Sequence, residues 1–431
     1  MTAVPDDPTE ATELTEPRGG AAAAGSGRGG PPHVSGARAV PAPIARALAG
    51  AGGEVPFSRF MEWASLHPEA GYYTRGSGQF GRAGDFVTIP ARVPFFNQAV
   101  AALLADLVDA LSAETAPGDA VTVVEVGGGT GDMAAGVLSA WERSRSDLRD
   151  RIVWEMVEPS KALADVQRST LERALGEGWL IHWHPGPENL PQGPKLVVSN
   201  EVVDALPVHL VDVCGETPRE TWVRLQSTAG GTSECGISEY LGELTSEARR
   251  ELIRLFGSED AAQLRAYTAD GTIEARPAVL PFLRALVGEK HSACVVTVDY
   301  GGWPARAGTQ RADATYRRTA RAYLRQQRQD DLTAYVGRQD LTADVDFGAL
   351  ATHGEDLGLE CLVYTTVAAL LAAAGGAEEV ARLRAAVADD LTNDVNASRL
   401  DRLLDTDDAG GLFKLMVQVR EGSYRVQGRG C

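Results

Sequence analysis

The sequence lacks the cysteine spacing that covalent or metal cross-links require. Its 431 residues include five cysteines, none of them spaced as a Cys-x-x-Cys pair, and their number is odd. We therefore expect neither a disulfide framework nor a structural zinc site. Because such a chain fits a reducing compartment, we expect a cytoplasmic protein.

Positive charge is also in short supply. Lysine and arginine together number 41 against 59 aspartates and glutamates, which gives a net charge of −18. This acidity argues against a nucleic-acid partner and against a polybasic membrane anchor. No run approaches the roughly 20 apolar residues of a membrane span, so we expect no membrane partner. The scarcity of lysine beside abundant alanine and glycine is typical of a high-GC bacterial genome.

The first 50 residues differ in composition from the rest. They are dominated by alanine, glycine and proline, and the first aromatic residue is Phe57. A segment of this kind cannot bury enough apolar surface to offset its chain entropy, so we expect residues 1–50 to be a disordered tail.

Buried strands and helices alternate through the middle of the chain. The pattern predicts strands at 121–126, 152–157, 180–183 and 196–199, with helices at 131–145 and 160–175 between them. Strands separated by helices favour an α/β fold with a parallel, doubly wound sheet. Flanking predictions are helices from Phe57 and over 95–111, a helix-rich insertion over 240–290, a loop with a helix over 305–340, and strands at 294–299 and 413–419.

A glycine cluster follows the first of these strands. The segment Glu125-Val-Gly127-Gly-Gly129-Thr-Gly131 leads from a strand into a helix, as a nucleotide-cofactor turn does. The absence of Gly-Lys-Ser/Thr excludes a P-loop. Residues 129–134 satisfy the dinucleotide fingerprint G-x-G-x-x-G/A, although in a late register. The spacing E-x-G-x-G-x-G instead resembles motif I of class I S-adenosylmethionine (SAM) methyltransferases, so both cofactors stay open here.

Acidic residues follow two further strands. Glu158 lies where a carboxylate can accept both ribose hydroxyls of a bound adenosine, whether the cofactor is SAM or NAD. After the fourth strand come Asn200, Glu201 and Asp204, and a helical turn there would put both carboxylates on one face. Two carboxylates suit a cationic acceptor such as a planar guanidinium. The alternative is that Asn200 and Asp204 only brace the turn.

Three weaker motifs predict ordinary structure. His182-Trp-His184 could chelate a metal ion, but no further ligands accompany it, so we expect packing and no metal. Ser160 and Ser199 lack the Gly-x-Ser-x-Gly elbow of hydrolases. The arginine-rich run 311–328 is expected to be a solvated helix face.

Taken together, the motifs resemble one family. The chain is similar to the MidA-like SAM-dependent methyltransferases, whose mitochondrial members are complex I assembly arginine methyltransferases. The resemblance runs from about Phe57 to Val419. The strings that carry it are Pro68-Glu-Ala-Gly-Tyr-Tyr73, Phe80-Gly-Arg-Ala-Gly-Asp85-Phe, the Glu125 glycine turn, Val157-Glu158-Pro-Ser160, Asn200-Glu201-Val-Val-Asp204-Ala-Leu-Pro207, Asp299-Tyr-Gly301, Asp340-Leu-Thr-Ala-Asp-Val-Asp-Phe347 and Leu412-Phe-Lys-Leu-Met416.

The resemblance implies a site and a cofactor. SAM would be surrounded by Gly84, Asp85, Glu125, Gly127, Gly129, Gly131 and Glu158, with Asn189 near the adenine. Glu201, Asp204 and Asn200 would face the methyl acceptor as the catalytic group. The family also favours a homodimer.

The resemblance divides the chain into five segments and implies a class I methyltransferase (Rossmann-like) fold. The segments are the tail 1–50, an N-terminal helical segment 51–115 with the Gly-Arg-x-Gly-Asp-Phe loop, a SAM-binding core 116–225, a helical insertion 226–292, and the rest of the core sheet with C-terminal helices 293–431.

Two positions depart from the family pattern. Thr130 stands within the glycine turn, and Asn97 stands where members usually have glycine. Both lie near the expected pockets, so they bear on the acceptor more than on the fold. The expected activity is methyl transfer to a nitrogen or oxygen nucleophile, with an arginine-type guanidinium on a protein or peptide as one acceptor. The alternatives are a natural-product or biosynthetic-peptide tailoring methyltransferase, a SAM-binding assembly factor with dispensable catalysis, and a dinucleotide oxidoreductase.

Overall fold

The computed structural model describes residues 40–74, 88–113, 115, 119–226, 236–306, 311–386, 390 and 392–420. The helices within them are α1 Ala42–Gly50, α2 Phe57–Leu66, α3 Ile89–Arg92, α4 Pro94–Ser112, α5 Asp132–Ser144, α6 Lys161–Ala174, α7 Ser246–Phe256, α8 Ala261–Arg265, α9 Val279–Val287, α10 Phe347–Glu355, α11 Val367–Ala373, α12 Gly376–Ala385, α13 Thr392–Leu404 and α14 Ala409–Leu412.

The strands are β1 Glu54–Pro56, β2 Val121–Val126, β3 Ile152–Val157, β4 Ile181–His184, β5 Lys195–Asn200, β6 His209–Asp212, β7 Arg219–Gln226, β8 Gly236–Gly242, β9 Thr272–Ala275, β10 Ala293–Gly302, β11 Arg321–Leu324, β12 Gln327–Gln329, β13 Asp340–Thr342, β14 Val345–Asp346, β15 Leu359–Thr366 and β16 Phe413–Arg420.

The central sheet has the strand order β15-β16-β10-β5-β2-β3-β4. Strands β10, β5, β2, β3 and β4 run parallel, and β16 runs antiparallel between β10 and β15. Strands β2 and β5 are buried along their whole length. Such near-continuous apolar strands require helices on both faces. The expected parallel, doubly wound sheet is therefore confirmed.

Helices cover both faces of this sheet. Buried side chains of α4, α5, α11 and α13 form one apolar layer with the sheet, and those of α9 and α10 form the other. The carboxyl ends of the parallel strands meet at one edge, where a doubly wound sheet binds its ligands. This edge carries the glycine turn after β2, Glu158 after β3 and Glu201 after β5.

Helix α4 is long and apolar enough to cross a membrane by length and composition alone. More than half of its most apolar stretch is buried inside the molecule, where its side chains belong to the layer shared with α5. A core helix passes the same length and composition test, and the packing of α4 is that of a core helix.

A second, antiparallel sheet differs from the prediction for two segments, the core 116–225 and the insertion 226–292. It has the order β1-β7-β6-β9, with β8 paired to β7. Strands β6 and β7 fall in the predicted core 116–225 but pair outside the central sheet, and β8 and β9 show that the insertion 226–292 is mixed α/β rather than helical. Strand β7 is buried only at Glu220, Thr221 and Val223, so this sheet is less enclosed than the central one.

The segment 305–340 also differs from its prediction over its described residues, 305–306 and 311–340. Instead of a loop with a helix, its described residues include β11 and β12, which form a three-stranded sheet with β13. Arg321 was expected on a solvated face, but it is buried and its Nη1 lies 2.6 Å from Oδ1 of Asp344. Buried ion pairing therefore explains part of the arginine-rich run.

The predicted tail ends too late. Residues 1–39 lie outside the described part of the chain, but 42–50 form α1. Ile44 and Leu48 of this helix are fully buried, and they pack with α2 and the second sheet. The two residues are four apart, so they form an apolar stripe that a composition average over 50 residues conceals.

Candidate active site

The glycine turn after β2 needs glycine for both conformation and space. Gly127, Gly129 and Gly131 have φ values of +62°, +52° and +86°. A Cβ on Gly127 would lie 2.9 Å from Cγ2 of Val202, whereas a Cβ on Gly129 would meet nothing within 4 Å. The turn therefore touches the segment after β5 and leaves open space above Gly129. Helix α5 starts directly after the turn, so its first N–H groups face this edge.

Glu125 lies beneath this turn. Its side chain is fully buried, Oε2 accepts a hydrogen bond from Trp154 Nε1 at 3.3 Å, and Oε1 has no hydrogen-bond partner among the described residues. Burial raises the pKa of Glu125 to about 8, against the lowering effect of the Trp154 hydrogen bond. A buried, half-satisfied carboxylate below a cofactor turn fits a ligand that carries positive charge.

Glu158 joins the end of β3 to the glycine turn. Its Oε1 accepts from the Ser160 backbone N–H at 2.9 Å and its Oε2 from Gln167 Nε2 at 3.0 Å. Gln167 Nε2 also donates to the Gly129 carbonyl at 3.1 Å. Burial raises the pKa of Glu158 to about 7. Each carboxylate oxygen keeps a further acceptor site, which is what a pair of ribose hydroxyls needs.

The other residues predicted to bind the cofactor, Gly84, Asp85 and Asn189, have no described contacts in the site. Gly84 and Asp85 lie outside the described residues, so their positions are not described. Asn189 ends a short turn of 3₁₀ helix after β4 and is exposed. An open cleft of about 650 Å³ adjoins Glu158; it is lined by Leu66, Pro68, Thr74, Pro159, Ser160, Lys161, Ala162 and Asp165.

Residues 201–204, which we call the acceptor turn, follow β5 at the same edge. Glu201 has φ +54°, in the left-handed region that non-glycine residues rarely adopt. The Ala205 N–H donates to the Val202 carbonyl at 3.3 Å, so the chain turns over residues 202–205, but Glu201 itself is not part of the helical turn that the sequence predicts. Asn200 Nδ2 donates to Glu201 Oε1 at 3.0 Å. Burial and the charges of Asp204 and Asp340 raise the pKa of Glu201 to about 8.

Asp204 is the more deeply buried acid of the acceptor turn, with 1% of its surface exposed. Its Oδ2 accepts a hydrogen bond from the Tyr300 hydroxyl, and its Oδ1 has no partner among the described residues. Burial raises the pKa of Asp204, while Tyr300 and the nearby Arg276 and Arg321 lower it. The structure thus brings Asn200, Glu201 and Asp204 together and leaves one carboxylate oxygen available.

Several neighbours of this site were not predicted as functional residues. Tyr73 donates its hydroxyl proton to Asp340 Oδ1 at 2.5 Å, and the Arg321 guanidinium lies 4.7 Å from the centre of the Tyr300 ring. Tyr73, Tyr300 and Asp340 occur in family strings, which was the only sequence signal for them. Arg321 was predicted only as part of the solvated arginine-rich run, because no sequence pattern showed its pairing with Asp344 or its position over the Tyr300 ring.

The two departures from the family pattern have structural roles. Asn97 is buried, and its Nδ2 donates to the carbonyls of Pro90 and Asp132 at 3.0 and 3.3 Å. It therefore ties α3 and α4 to the start of α5. Thr130 donates its hydroxyl proton to the Asp132 carboxylate, within the same turn. Both side chains therefore contact Asp132, the first residue of α5.

The His-Trp-His motif holds a carboxylate. Glu155 is buried, and its two oxygens lie 3.2 Å from His182 Nδ1 and 2.6 Å from His184 Nε2. Within the described residues, no group of three or more histidine, cysteine, aspartate or glutamate side chains is arranged to hold a metal ion. The motif thus packs β3 against β4.

Comparison with known proteins points to one chemistry. Residues 99–365 match the model of a family of S-adenosyl-L-methionine-dependent methyltransferases. The chain is 25% identical to the mitochondrial protein arginine methyltransferase NDUFAF7 homolog of Drosophila melanogaster over 331 residues, 71% of this chain and 68% of that protein. It is 26% identical to the Caenorhabditis elegans homolog over 70% of this chain and 69% of that protein.

A solved structure supports the same assignment. A COG1565 superfamily member from Burkholderia thailandensis, crystallised with S-adenosyl-homocysteine, is 30% identical; the alignment covers 90% of this chain and 94% of that one, with a TM-score of 0.70. The class I methyltransferase fold is therefore confirmed. The cofactor is SAM, which removes the dinucleotide alternative left open by the glycine fingerprint.

Proposed function

We propose that this chain, which belongs to the family of S-adenosyl-L-methionine-dependent methyltransferases, transfers the methyl group to a guanidinium nitrogen of arginine in a protein or peptide. The observation that carries this proposal is the pair of carboxylates on the acceptor turn, with Asp204 Oδ1 buried and without a partner among the described residues. The names of the NDUFAF7 relatives, protein arginine methyltransferases, support it.

We propose that the cofactor is held at the edge between the glycine turn and Glu158. The open space above Gly129 gives room for its approach, and Glu125 places a buried carboxyl below, which ionises more readily when a cation is bound. Glu158 accepts the ribose hydroxyls, and Asn189 with Gly84 and Asp85 completes the proposed set. When bound, SAM supplies a methyl group on a sulfonium, which needs only a well-aligned nucleophile with a free lone pair.

The acceptor turn supplies the alignment. A guanidinium presents its N–H donors in a fixed plane, so Glu201 and Asp204 can hold it by two of its edges. Asn200 orients Glu201 through the 3.0 Å hydrogen bond, and Tyr300 occupies one oxygen of Asp204 so that the other faces the acceptor. The attacking nitrogen must also lose a proton, and the raised pKa of Glu201, about 8, suits a proton acceptor near neutral pH.

The proposal is tested by separating turnover from cofactor binding. Glu201→Gln and Asp204→Asn remove the charge of each proposed catalytic residue but keep its shape. We expect each to lower methyl transfer to arginine-containing peptides by at least about 100-fold. The dissociation constant for SAM, measured by calorimetry, should change by less than about threefold, because neither residue belongs to the proposed cofactor-binding set.

A matched control sharpens this experiment. Glu239 is a half-buried carboxylate of β8 whose pKa is also raised by burial, but it lies in the second sheet. Glu239→Gln should keep full turnover. Wild-type turnover in Glu201→Gln would contradict the assignment of that residue.

The same assay discriminates the alternatives. Methyl transfer to extracted small molecules but not to arginine peptides would support a tailoring methyltransferase. SAM binding without transfer to any acceptor class would support an assembly factor with dispensable catalysis. The homodimer and the cytoplasmic location stay predictions, and light scattering measures the first of them.

A further inference from the structure

We propose that Asp299 and Arg276 are positioning residues that clamp the acceptor turn, Asp299 from its N–H side and Arg276 from its carbonyl side. The inference rests on the proposed function, since it concerns the turn that carries Glu201 and Asp204. Neither residue touches the acceptor in this proposal; each acts through the backbone of the turn.

Asp299 holds the N–H side of the turn. Its Oδ2 accepts three consecutive backbone hydrogen bonds, from Val202 at 3.2 Å, Val203 at 3.0 Å and Asp204 at 3.2 Å. Its Oδ1 accepts from the Tyr300 backbone N–H at 3.0 Å, and the residue is fully buried. Successive backbone N–H groups that converge on one oxygen form an anion-binding nest. An ionised carboxylate accepts such hydrogen bonds more strongly than a neutral group does.

Arg276 holds the carbonyl side. Its Nη1 donates to the Val203 carbonyl at 2.7 Å and its Nη2 to the Ala343 carbonyl at 3.0 Å, and 4% of its surface is exposed. Ala343 in turn donates its N–H to the Asp204 carbonyl at 3.0 Å. The guanidinium therefore fastens both the turn and the segment after β13.

The turn needs such a clamp because its backbone is strained. Glu201 adopts φ +54°, a conformation that persists in a non-glycine residue only where its surroundings enforce it. Glu201 and Asp204 also repel each other when ionised. Asp299 and Arg276 lie at opposite ends of the peptide dipoles between these two residues, so they favour one conformation of the turn over others.

Amide hydrogen exchange tests the clamp without any methyl acceptor. In Asp299→Asn with SAM bound, the amides of Val202, Val203 and Asp204 should exchange at least about tenfold faster than in the wild type. Arg276→Lys keeps the positive charge but cannot donate to the Val203 and Ala343 carbonyls at once, as the guanidinium does. It should therefore accelerate exchange of the same amides. Asp260→Asn is the control, because Asp260 also accepts a backbone N–H but caps α8; its exchange at the turn should match the wild type.

Kinetics separate positioning from general destabilisation. With an arginine peptide, both clamp variants should lower kcat by at least about tenfold while KM for SAM changes by less than about threefold. A loss of overall stability alone would lower the active fraction, which titration with SAM measures, and would leave kcat per active site unchanged. If Asp299→Asn does not fold, Arg276→Lys carries the test.

The outcomes distinguish the two proposals. Unchanged exchange at the turn in folded variants of both residues would overturn the clamp, whatever the acceptor. If exchange is faster in the variants but the wild-type protein methylates no arginine, the clamp is supported and the proposed methyl acceptor is wrong.

Discussion

At the residue scale, the site is a set of carboxylates whose protonation is controlled by burial. Glu125, Glu158 and Glu201 have pKa values raised to about 8, 7 and 8, and in each case burial is the largest cause. Such clusters are costly unless a cation or a proton neutralises them. A cationic cofactor and a cationic acceptor would supply that neutralisation on the two sides of the glycine turn.

The pH dependence of turnover tests the state of Glu201. Its ionised form holds the guanidinium, whose own charge does not change in this range. We therefore expect kcat/KM to rise with pH and to be half-maximal near pH 8. Asp340→Asn removes a negative charge that raises the pKa of Glu201, so the rise of kcat/KM should shift to lower pH. If kcat/KM is constant from about pH 6 to about pH 9, the ionisation of Glu201 does not control turnover.

The pH dependence of stability tests Glu125. Its pKa in the folded chain, about 8, lies above the unfolded value of 4.5, so the folded state binds the extra proton between these values. Stability of the cofactor-free protein should therefore fall as pH rises through this window and level off above about 8. Glu125→Gln should flatten the curve. Urea unfolding between about pH 5 and about pH 9 measures it, and an equal slope in both proteins would contradict the assignment.

Residue identities at the site were predictable only where a strand end exposes them. Glu158, Asn200, Glu201 and Asp204 each follow a strand that hydrophobicity alone reveals. The partners of the acceptor turn, Asp299 and Arg276, lie more than 70 residues away from it in sequence, and although Asp299 stands in a family string, its bonds to the turn were not predicted. Such pairings depend on the tertiary fold, and no local pattern encodes them.

At the element scale, the glycine turn after β2 is limited by space as well as by conformation. Gly127→Ala places a Cβ 2.9 Å from Cγ2 of Val202 in a left-handed backbone. We expect SAM affinity to fall by at least about tenfold, because the turn and Val202 must separate. Gly257→Ala is the control: its φ is +68° and no atom lies within 4 Å of its Cβ. It should cost about 1 kcal/mol of stability and leave SAM affinity unchanged.

Helix α1 provides a test of the corrected N-terminal boundary. Ile44 is fully buried among α2 and the second sheet, so Ile44→Ala should lower the free energy of unfolding by about 2–5 kcal/mol. Ile253, on helix α7, is 47% exposed, and Ile253→Ala should cost less than about 1 kcal/mol. Equal losses in the two variants would mean that α1 does not contribute to the core.

Elements were predictable where periodicity was continuous. Strands β2–β5 and β16 and helices α4–α6 lie within a residue or two of their predicted bounds because apolar runs specify them, whereas β10 extends three residues beyond its predicted end. Strands β1, β8, β9 and β11–β15 were missed. They are short or lie at the edge of a sheet, so pairing with other strands specifies them more than a local apolar run does.

At the scale of the whole molecule, the charge of −18 is partly local to one edge of the sheet. Glu125, Glu158, Glu201, Asp204 and Asp299 are all buried or half-buried around the glycine and acceptor turns. The contact of Gly127 with Val202 joins these two turns, so the proposed cofactor and acceptor groups belong to one site. This continuity is the central claim: a cationic methyl donor and a cationic acceptor share one acidic edge.

The most direct measurement of that claim compares charged and neutral acceptors. Peptides with arginine, and the same peptides with citrulline in its place, are incubated with the protein and labelled SAM, and the modified residue is located by mass spectrometry. We predict transfer to arginine in the wild type, none to the uncharged citrulline, and none to either peptide by Glu201→Gln although it binds SAM. Equal labelling of arginine and citrulline peptides, or transfer to a hydroxyl instead, would contradict the account.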